Sequence, residues 1–390
     1  MKRKVTHEQT RALNRQLVTK TIYDAGEISR AEVARVTRLT RPTESDLVAE
    51  LMAQELVVEV GYAPSTGGKR PMLLRIDADA RNTISIDLSR KDFSGAVLDL
   101  RGQVQHREHR RWRRDRPSID LIFDLLDSLI AATKHPLLGI GVGTPGLIDA
   151  ANGVVVAAVN QEWTNVPLRR LLEERYGVPA YIANDCQAAA LGEFTFGNVN
   201  GVQDLVVISV GWGIGAGIVI NGQLLHGTPF GAGEIGHIVV VEGGERCSCG
   251  SYGCLETVSS SQAIIRQVRA LLSRRGDPCG GSPEQVSFDR VCELFHEGDA
   301  EVREVVRAAG YGLGTVAAYL VGVLGIYHLR FAGQVTAVGS FLLDVIREEL
   351  VRRMLPALAG ETQLEFATLG SDIVLRGASA LVLHHELGVL

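Results

Sequence analysis

Three things are scarce in this chain of 390 residues. No stretch of about 18 consecutive apolar residues stands out, and the basic start, Met1 to Val5, leads into a polar helical pattern, so neither a membrane span nor a secretory leader is expected. Cysteine is sparse: there are six, and Cys186, Cys279 and Cys292 stand alone. Isolated thiols fit a reducing, cytoplasmic compartment, and each is expected to be a small, partly buried side chain without chemistry of its own. Excess positive charge is also missing from most of the chain. The net charge is −5, yet residues 1–75 hold 13 Lys and Arg against 9 Asp and Glu, leaving −9 on the remainder. Only the N-terminal end suits a polyanion. Glycine (43 residues) and hydrophobic residues (46%) are plentiful, enough to bury the cores of two or three domains.

The other three cysteines are concentrated. Cys247, Cys249 and Cys254 follow His237 within eighteen residues, giving three thiols and an imidazole. Thiolate and neutral imidazole suit tetrahedral zinc, and four protein ligands leave no open position for a catalytic water, so the expected ion is structural. Cys247 and Cys249 are too close in sequence to pair comfortably as a disulfide; unligated thiols are the alternative. The same loop carries two carboxylates, Glu234 and Glu256.

The N-terminal segment reads as a DNA-binding module. Ala12, Leu13, Leu17 and Ile22 recur at near-helical spacing and predict a first helix ending near Gly26. Ser29-Arg30-Ala31-Glu32 is a capping box that opens a short second helix buried through Val33, Ala34 and Val36. Thr40-Arg41-Pro42-Thr43 opens a third, lined by Leu47, Val48, Leu51 and Met52. Two strands, residues 56–60 and 72–76, joined by a Gly/Pro-rich turn, then make a wing. In a winged helix-turn-helix the third helix enters the major groove, which makes Arg38, Arg41, Thr43 and Ser45 candidates for base edges, with Lys69 and Arg70 at the wing tip for phosphates or the minor groove. Glu44, Asp46 and Glu50 on the same helix count against that assignment unless they face elsewhere, and a protein-interaction domain is the alternative. The basic run at residues 106–116 is expected to be a solvated strand end.

The remaining chain reads as a duplicated α/β fold. Strands at 84–88, 93–100 and 103–109, a helix over 118–133 and a buried strand at 138–142 are echoed by strands at 205–210, 215–220 and 223–226 with glycine-rich turns. Two such halves facing across a cleft make the actin-like, ribonuclease-H-like architecture of sugar kinases. The expected division is a winged helix-turn-helix over 1–78, a first lobe over 79–190 joined by a C-terminal helix 376–390, and a second lobe over 191–375.

Taken together, Gly141-Val142-Gly143-Thr144-Pro145-Gly146, Trp163 to Leu172, Val178 to Asp185, Ala188 to Glu193 and the Gly236 to Glu256 loop resemble the ROK family (repressors, open reading frames, kinases) over nearly the whole chain. The added winged helix resembles its repressor branch. The resemblance implies that Asp185 corresponds to the general base of the kinases. Asn184, Glu234, His237 and Glu256, with Asn160 on the rim, would correspond to the sugar-hydroxyl contacts, and His237 would offer one nitrogen to zinc while the other faces the cleft. It also implies a homodimer or homotetramer. Departures argue against catalysis: Asp87 is followed by Leu88-Ser89-Arg90-Lys91 with no glycine for phosphate approach, Gly211-Trp212-Gly213 puts an indole where a small hydroxyl residue is expected, and Phe331-Ala332-Gly333-Gln334 matches an adenosine motif poorly. The expectation is a sugar-responsive transcriptional repressor, not an enzyme, with a vestigial base at Asp185. Its partners would be double-stranded operator DNA and a monosaccharide or sugar derivative, with no membrane. An ATP-dependent sugar kinase with an accessory DNA-binding domain is the alternative, and a protein effector a third.

Overall fold

The computed structural model describes residues 6–63, 70–89, 92–112, 117–158, 161–199, 201–228, 230–276 and 286–389. The wing-tip residue Lys69, the rim residue Asn160, the lone Cys279, Arg90, Lys91 and the end of the basic run (113–116) lie outside them. The chain divides into two compact units, Met1–Asp185 with Leu375–Leu390, and Cys186–Val374.

The first unit opens with α1 (His7–Ala25), β1 (Ile28–Ser29), α2 (Arg30–Thr37), α3 (Arg41–Ala53), β2 (Val57–Tyr62) and β3 (Met72–Ile76). Local sequence sets these boundaries. In the predicted capping box, the Glu32 amide donates to Ser29 Oγ at 3.3 Å and the Ser29 amide donates to Glu32 Oε2 at 3.4 Å. Thr6 and Gln9 form a second box at the start of α1. Such caps contribute about 1 kcal/mol each by satisfying amides the helix leaves unpaired. Thr40 caps α3 with Pro42 in its first turn, where a missing N–H costs nothing. The wing carries one strand more than its sequence suggests: β1 pairs with β3 in the order β1-β3-β2. Val18, Ile22, Val33, Leu47, Val48 and Leu51 close the module's core.

No free linker separates this module from the α/β part of the same unit. The Tyr23 hydroxyl, buried, donates to the Leu100 carbonyl at 2.9 Å; Arg101 donates to the Tyr23 carbonyl at 2.8 Å with its guanidinium over the ring; Arg81 donates to the Gln54 carbonyl at 3.0 Å.

That α/β part continues through β4 (Asn82–Asp87), β5 (Asp92–Leu98), β6 (Val104–Arg111), α4 (Ser118–Ala131) and β7 (Leu137–Thr144). A small sheet comes next, of β8 (Leu147–Asp149), β9 (Val154–Ala158) and β10 (Trp163–Val166), and then α5 (Leu168–Tyr176) and β11 (Ala180–Asn184). The sheet order is β11-β7-β4-β5-β6, with β4, β7 and β11 parallel and β5 antiparallel to its neighbours. Residues 106–111 of the basic run lie on edge strand β6, most of them exposed, and Glu108 is held down to about 2 by hydrogen bonds from Ser128 and His106 and by Arg110. Charge on an edge strand discourages pairing with another chain.

From α6 (Asp185–Phe196) the second unit runs through β12 (Leu205–Val210), β13 (Ile214–Ile220), β14 (Gln223–Leu224), α7 (Leu255–Ser259), α8 (Ser261–Arg275), α9 (Phe288–Glu297), α10 (Ala300–Leu324), β15 (His328–Ala332), α11 (Ser340–Arg353), α12 (Pro356–Glu361) and β16 (Gln363–Phe366); α13 (Ile373–Leu387) returns the chain to the first unit. Its sheet, β14-β13-β12-β15-β16, repeats the first: three consecutive antiparallel strands, then two parallel additions on the other side of the first strand. The duplication read from the sequence is thus a repeated strand order. Glycine serves the same packing purpose in both sheets. A Cβ on Gly141 of β7 would lie 2.0 Å from the Ala378 carbonyl oxygen of α13, and one on Gly217 of β13 would lie 2.2 Å from the Cys186 carbonyl oxygen of α6. Each helix therefore sits nearer its sheet than any side chain permits.

One helix corrects the expectation of no long apolar run. α10 is long and apolar enough to cross a membrane by length and composition, but most of that stretch is buried: Val306, Ala309, Leu313, Val316, Ala317 and Val321 lie in the core of the second unit, against α11 and α7 among others. It reads as a core helix.

Candidate functional site

The metal-ligand candidates converge. One ligand atom from each of His237, Cys247, Cys249 and Cys254 lies within 4.8 Å of the others. Nδ1 of His237 is 3.5 Å from Cys247 Sγ, and Cys249 Sγ is 3.8 Å from Cys254 Sγ. The loop is pinned by its own backbone: Cys247 N–H donates to the Ser251 carbonyl at 2.8 Å, and the amides of Val240 and Val241 donate to Gly253 at 2.9 and 3.1 Å. Burial, reinforced by the two neighbouring sulfurs, pushes the Cys254 thiol up to about 12. Three crowded thiols resist ionising together unless a cation compensates them, so the cluster could hold a metal ion.

The same second unit positions the loop carboxylates. Glu256 opens the first turn of α7, and its Oε2 accepts from the Ile214 amide at 3.1 Å, tying the helix to the β12–β13 turn. Glu234 Oε2 lies 3.9 Å from His237 Nε2, the imidazole nitrogen turned away from the thiols. Removal of water by its surroundings raises Glu234, against the opposing effect of His237 and with that of Glu256. Trp212, 52% exposed, stands at the tip of the β12–β13 turn, where Gly211 N–H donates to the Gly213 carbonyl at 3.0 Å and the Ser261 amide donates to Gly211 at 2.8 Å.

Asn184 and Asp185 belong to the first unit. Asn184 ends β11 and its Nδ2 donates to the Gly146 carbonyl at 3.0 Å; Asp185, half-buried, is the first residue of α6. Parallel pairing of Asn184 with Thr144 sets the end of β11 beside the Gly143–Gly146 turn.

On α3 two of the acidic residues are buried or paired, and Asp46 is exposed. Glu44 is 2% exposed and burial raises its pKa; Glu50 accepts from Arg11 of α1 at 2.8 Å with Arg15 at 3.5 Å; Asp46 faces a groove shared with His7, Arg11 and Asn14 of α1. Thr43 lines that groove too, its hydroxyl 2.9 Å from Thr40 Oγ1. Arg38, Arg41 and Ser45 are exposed, as are Pro42 and Ala49 beside them, and Arg70 is exposed where the wing resumes. Arg38 is the left-handed cap of α2, at φ 56°, which turns the chain between the two helices.

Sequence reading missed the α1 partners of Glu50, and it missed Glu193. That residue is fully buried in α6, and its carboxylate accepts from the Thr368 amide at 2.9 and 3.0 Å, from the Thr368 hydroxyl at 3.0 Å and from the Leu369 amide at 3.3 Å. A glutamate amid an otherwise small and apolar run, Ala188 to Leu191, was the available signal.

Comparison with known proteins places these sites in context. The family model described as the ROK family matches residues 83–385. A xylose repressor of Caldicellulosiruptor bescii is 32% identical over 387 residues, covering 97% of this chain and 97% of its own. The crystal structure of a ROK family transcriptional regulator, a homologue of the E. coli MLC protein, matches with TM-score 0.86 and 28% identity over 97% of this chain and 98% of that one. A ROK family glucokinase from Streptomyces griseus, crystallised with glucose and AMPPNP, matches with TM-score 0.66 and 28% identity, covering 98% of its own chain but 77% of this one.

Proposed function

This chain belongs to the ROK family, and on that premise we propose that it is a sugar-responsive, DNA-binding transcriptional regulator, a repressor of carbohydrate-metabolism genes, and not a kinase. The observation that carries the reading is coverage. Similarity to a repressor runs across 97% of both chains, winged helix included, whereas the glucokinase match spans 77% of this chain. The substituted phosphate turns support the same reading, since a base without a phosphoryl donor transfers nothing.

The DNA contacts are assigned to Arg38 in the turn between α2 and α3, to Arg41 and Ser45 on the exposed face of α3 with Thr43 at its start, and to Arg70 before β3 together with its neighbour Lys69. Burial of Glu44 and pairing of Glu50 with Arg11 and Arg15 reduce the charge objection to that face, leaving Asp46 exposed beside Thr43. Sugar hydroxyls are assigned to Asn184, Asp185, Glu234, His237, Glu256 and Asn160; carboxylates and amides hold hydroxyl pairs and reject analogues lacking them. d-Xylose is the first effector to test, because the full-length relative is a xylose repressor.

For the metal we propose zinc. In a tetrahedral site with the usual zinc–sulfur and zinc–nitrogen bonds, adjacent sulfurs sit about 3.8 Å apart and sulfur to nitrogen about 3.6 Å. The 3.8 Å and 3.5 Å separations here support that geometry. Zinc would supply no reaction chemistry; its role is to keep the backbone between Glu234 and Glu256 in one shape. The assembly proposed is a homodimer, or a dimer of dimers, reading a roughly palindromic operator.

A thermal-shift screen of d-xylose, other monosaccharides and sugar phosphates on the zinc-loaded protein tests the effector assignment, beside a coupled ATP assay. A stabilising sugar with no turnover supports the reading. Phosphorylation faster than about 1 per second would replace it with the kinase.

A further inference from the structure

The chain passes between its two units twice, at 185/186 near the start of α6 and at 374/375 near the start of α13. Glu193 fastens α6 to the segment that enters α13, on the second-unit side. Buried without solvent access, its carboxylate takes donors from Thr368 and Leu369, in the segment that leads from β16 into α13. Asn198, just beyond α6, adds an amide to Thr368 Oγ1 at 3.3 Å. A buried carboxylate satisfied by several donors holds its partners closely, because a displaced donor leaves the charge uncompensated.

Within the first unit α13 is docked along its length. Its backbone at Ala378 rests on Gly141, Ser379 Oγ is 2.7 Å from Thr83 Oγ1, and His385 stacks on Tyr181 at 4.3 Å. Its far end meets the DNA-binding module: Val389 is 1% exposed, Lys20 Nζ reaches the Val389 carbonyl at 3.5 Å, and Gly388 lies against Gln16, both Lys20 and Gln16 being on α1. α1 in turn grips α3 through Arg11, Arg15 and their partners Glu50 and Gln54.

We propose that α13 is the mechanical link between the effector-binding half and the DNA-binding module, with Glu193 anchoring the segment that leads into it at one end and Gly388–Val389 anchoring it on α1 at the other. Asp185 and Glu193 share α6, so a ligand held at Asp185 acts on the helix that Glu193 ties to the segment leading into α13. The physical warrant is a continuous, close-packed element with polar fastenings at both ends, rather than nearness alone. The coupling step rests on the effector reading above; the linkage does not.

Hydrogen exchange on the full-length protein separates the two. Without any sugar, Glu193→Gln is expected to speed exchange about tenfold around residues 366–374 and also in α1. Val389→Ala should speed it in α1 while leaving 366–374 as in the unsubstituted protein. If Glu193→Gln loosens only its own surroundings and α1 keeps its protection, the link is refuted whatever the effector proves to be. A second arm adds d-xylose. The expected result is a change in α1 exchange in the unsubstituted protein that Val389→Ala abolishes without abolishing the sugar's thermal shift. Absence of any thermal shift with d-xylose in the unsubstituted protein would count against xylose as effector, while the sugar-free arm decides the link.

Discussion

The winged module and the metal loop are both held to their parent units, by opposite means. The module is fixed by dispersed contacts of ordinary strength: one buried tyrosine hydroxyl, two arginines donating to carbonyls, and a C-terminal tail against α1. The loop is pinned by its own backbone bonds and brings four side chains together that a metal ion could join. Dispersed contacts each contribute modestly and can shift by degrees, as a responding element must. A four-ligand knot is all or nothing, which suits residues that must stay fixed around a ligand.

The sharpest attack on that contrast is removal of the zinc proposed for the cluster. Chelation, or Cys247→Ser, is expected to abolish the sugar-induced thermal shift outright while leaving DNA retention in place; metal content by elemental analysis, thermal shift and duplex binding check it. Loss of DNA retention along with the shift would mean the two regions are not independent. Next in size, Arg41→Ala should weaken duplex binding by about 1–3 kcal/mol, roughly 5- to 150-fold, with the sugar shift unchanged, measured by fluorescence anisotropy.

A smaller effect belongs to the seam. Tyr23→Phe removes the bond to Leu100 and is expected to cost about 1 kcal/mol in denaturant melts. Burial pushes the Tyr23 hydroxyl up to about 12 from its ordinary 10.0, against the charge of Arg101. The folded chain therefore holds that proton more tightly than the unfolded one. Its stabilising contribution is complete below pH 10 and is lost as pH climbs toward 12, a decline that Tyr23→Phe should flatten. Smallest of all, Arg11→Ala breaks an exposed pair with Glu50 and should leave stability in denaturant melts nearly unchanged.

How much of this was readable beforehand divides along the same line. The convergence of His237 with the three cysteines, the capping box at Ser29 and the repeated strand order depend on residues close in sequence or on periodicity, and they were legible. The seam depends on Tyr23 meeting Leu100, 77 positions away, and the α13 anchor on Glu193 meeting Thr368, 175 positions away. Neither leaves a local pattern. The facing of the acids on α3 was likewise hidden, because helical spacing shows which residues share a side but not which side α1 covers. β1 has two residues and the β8–β10 sheet has strands of three to five, too short for alternation to register.

The most direct test of the central claim is the affinity of the full-length, zinc-loaded protein for a labelled duplex from its own promoter region, measured by anisotropy with and without saturating d-xylose and a panel of other monosaccharides. A sugar-dependent loss of affinity of about 5- to 150-fold, with no ATP consumed, is the expected result. Affinity unmoved by every sugar, with ATP-dependent phosphorylation of one of them, would contradict it.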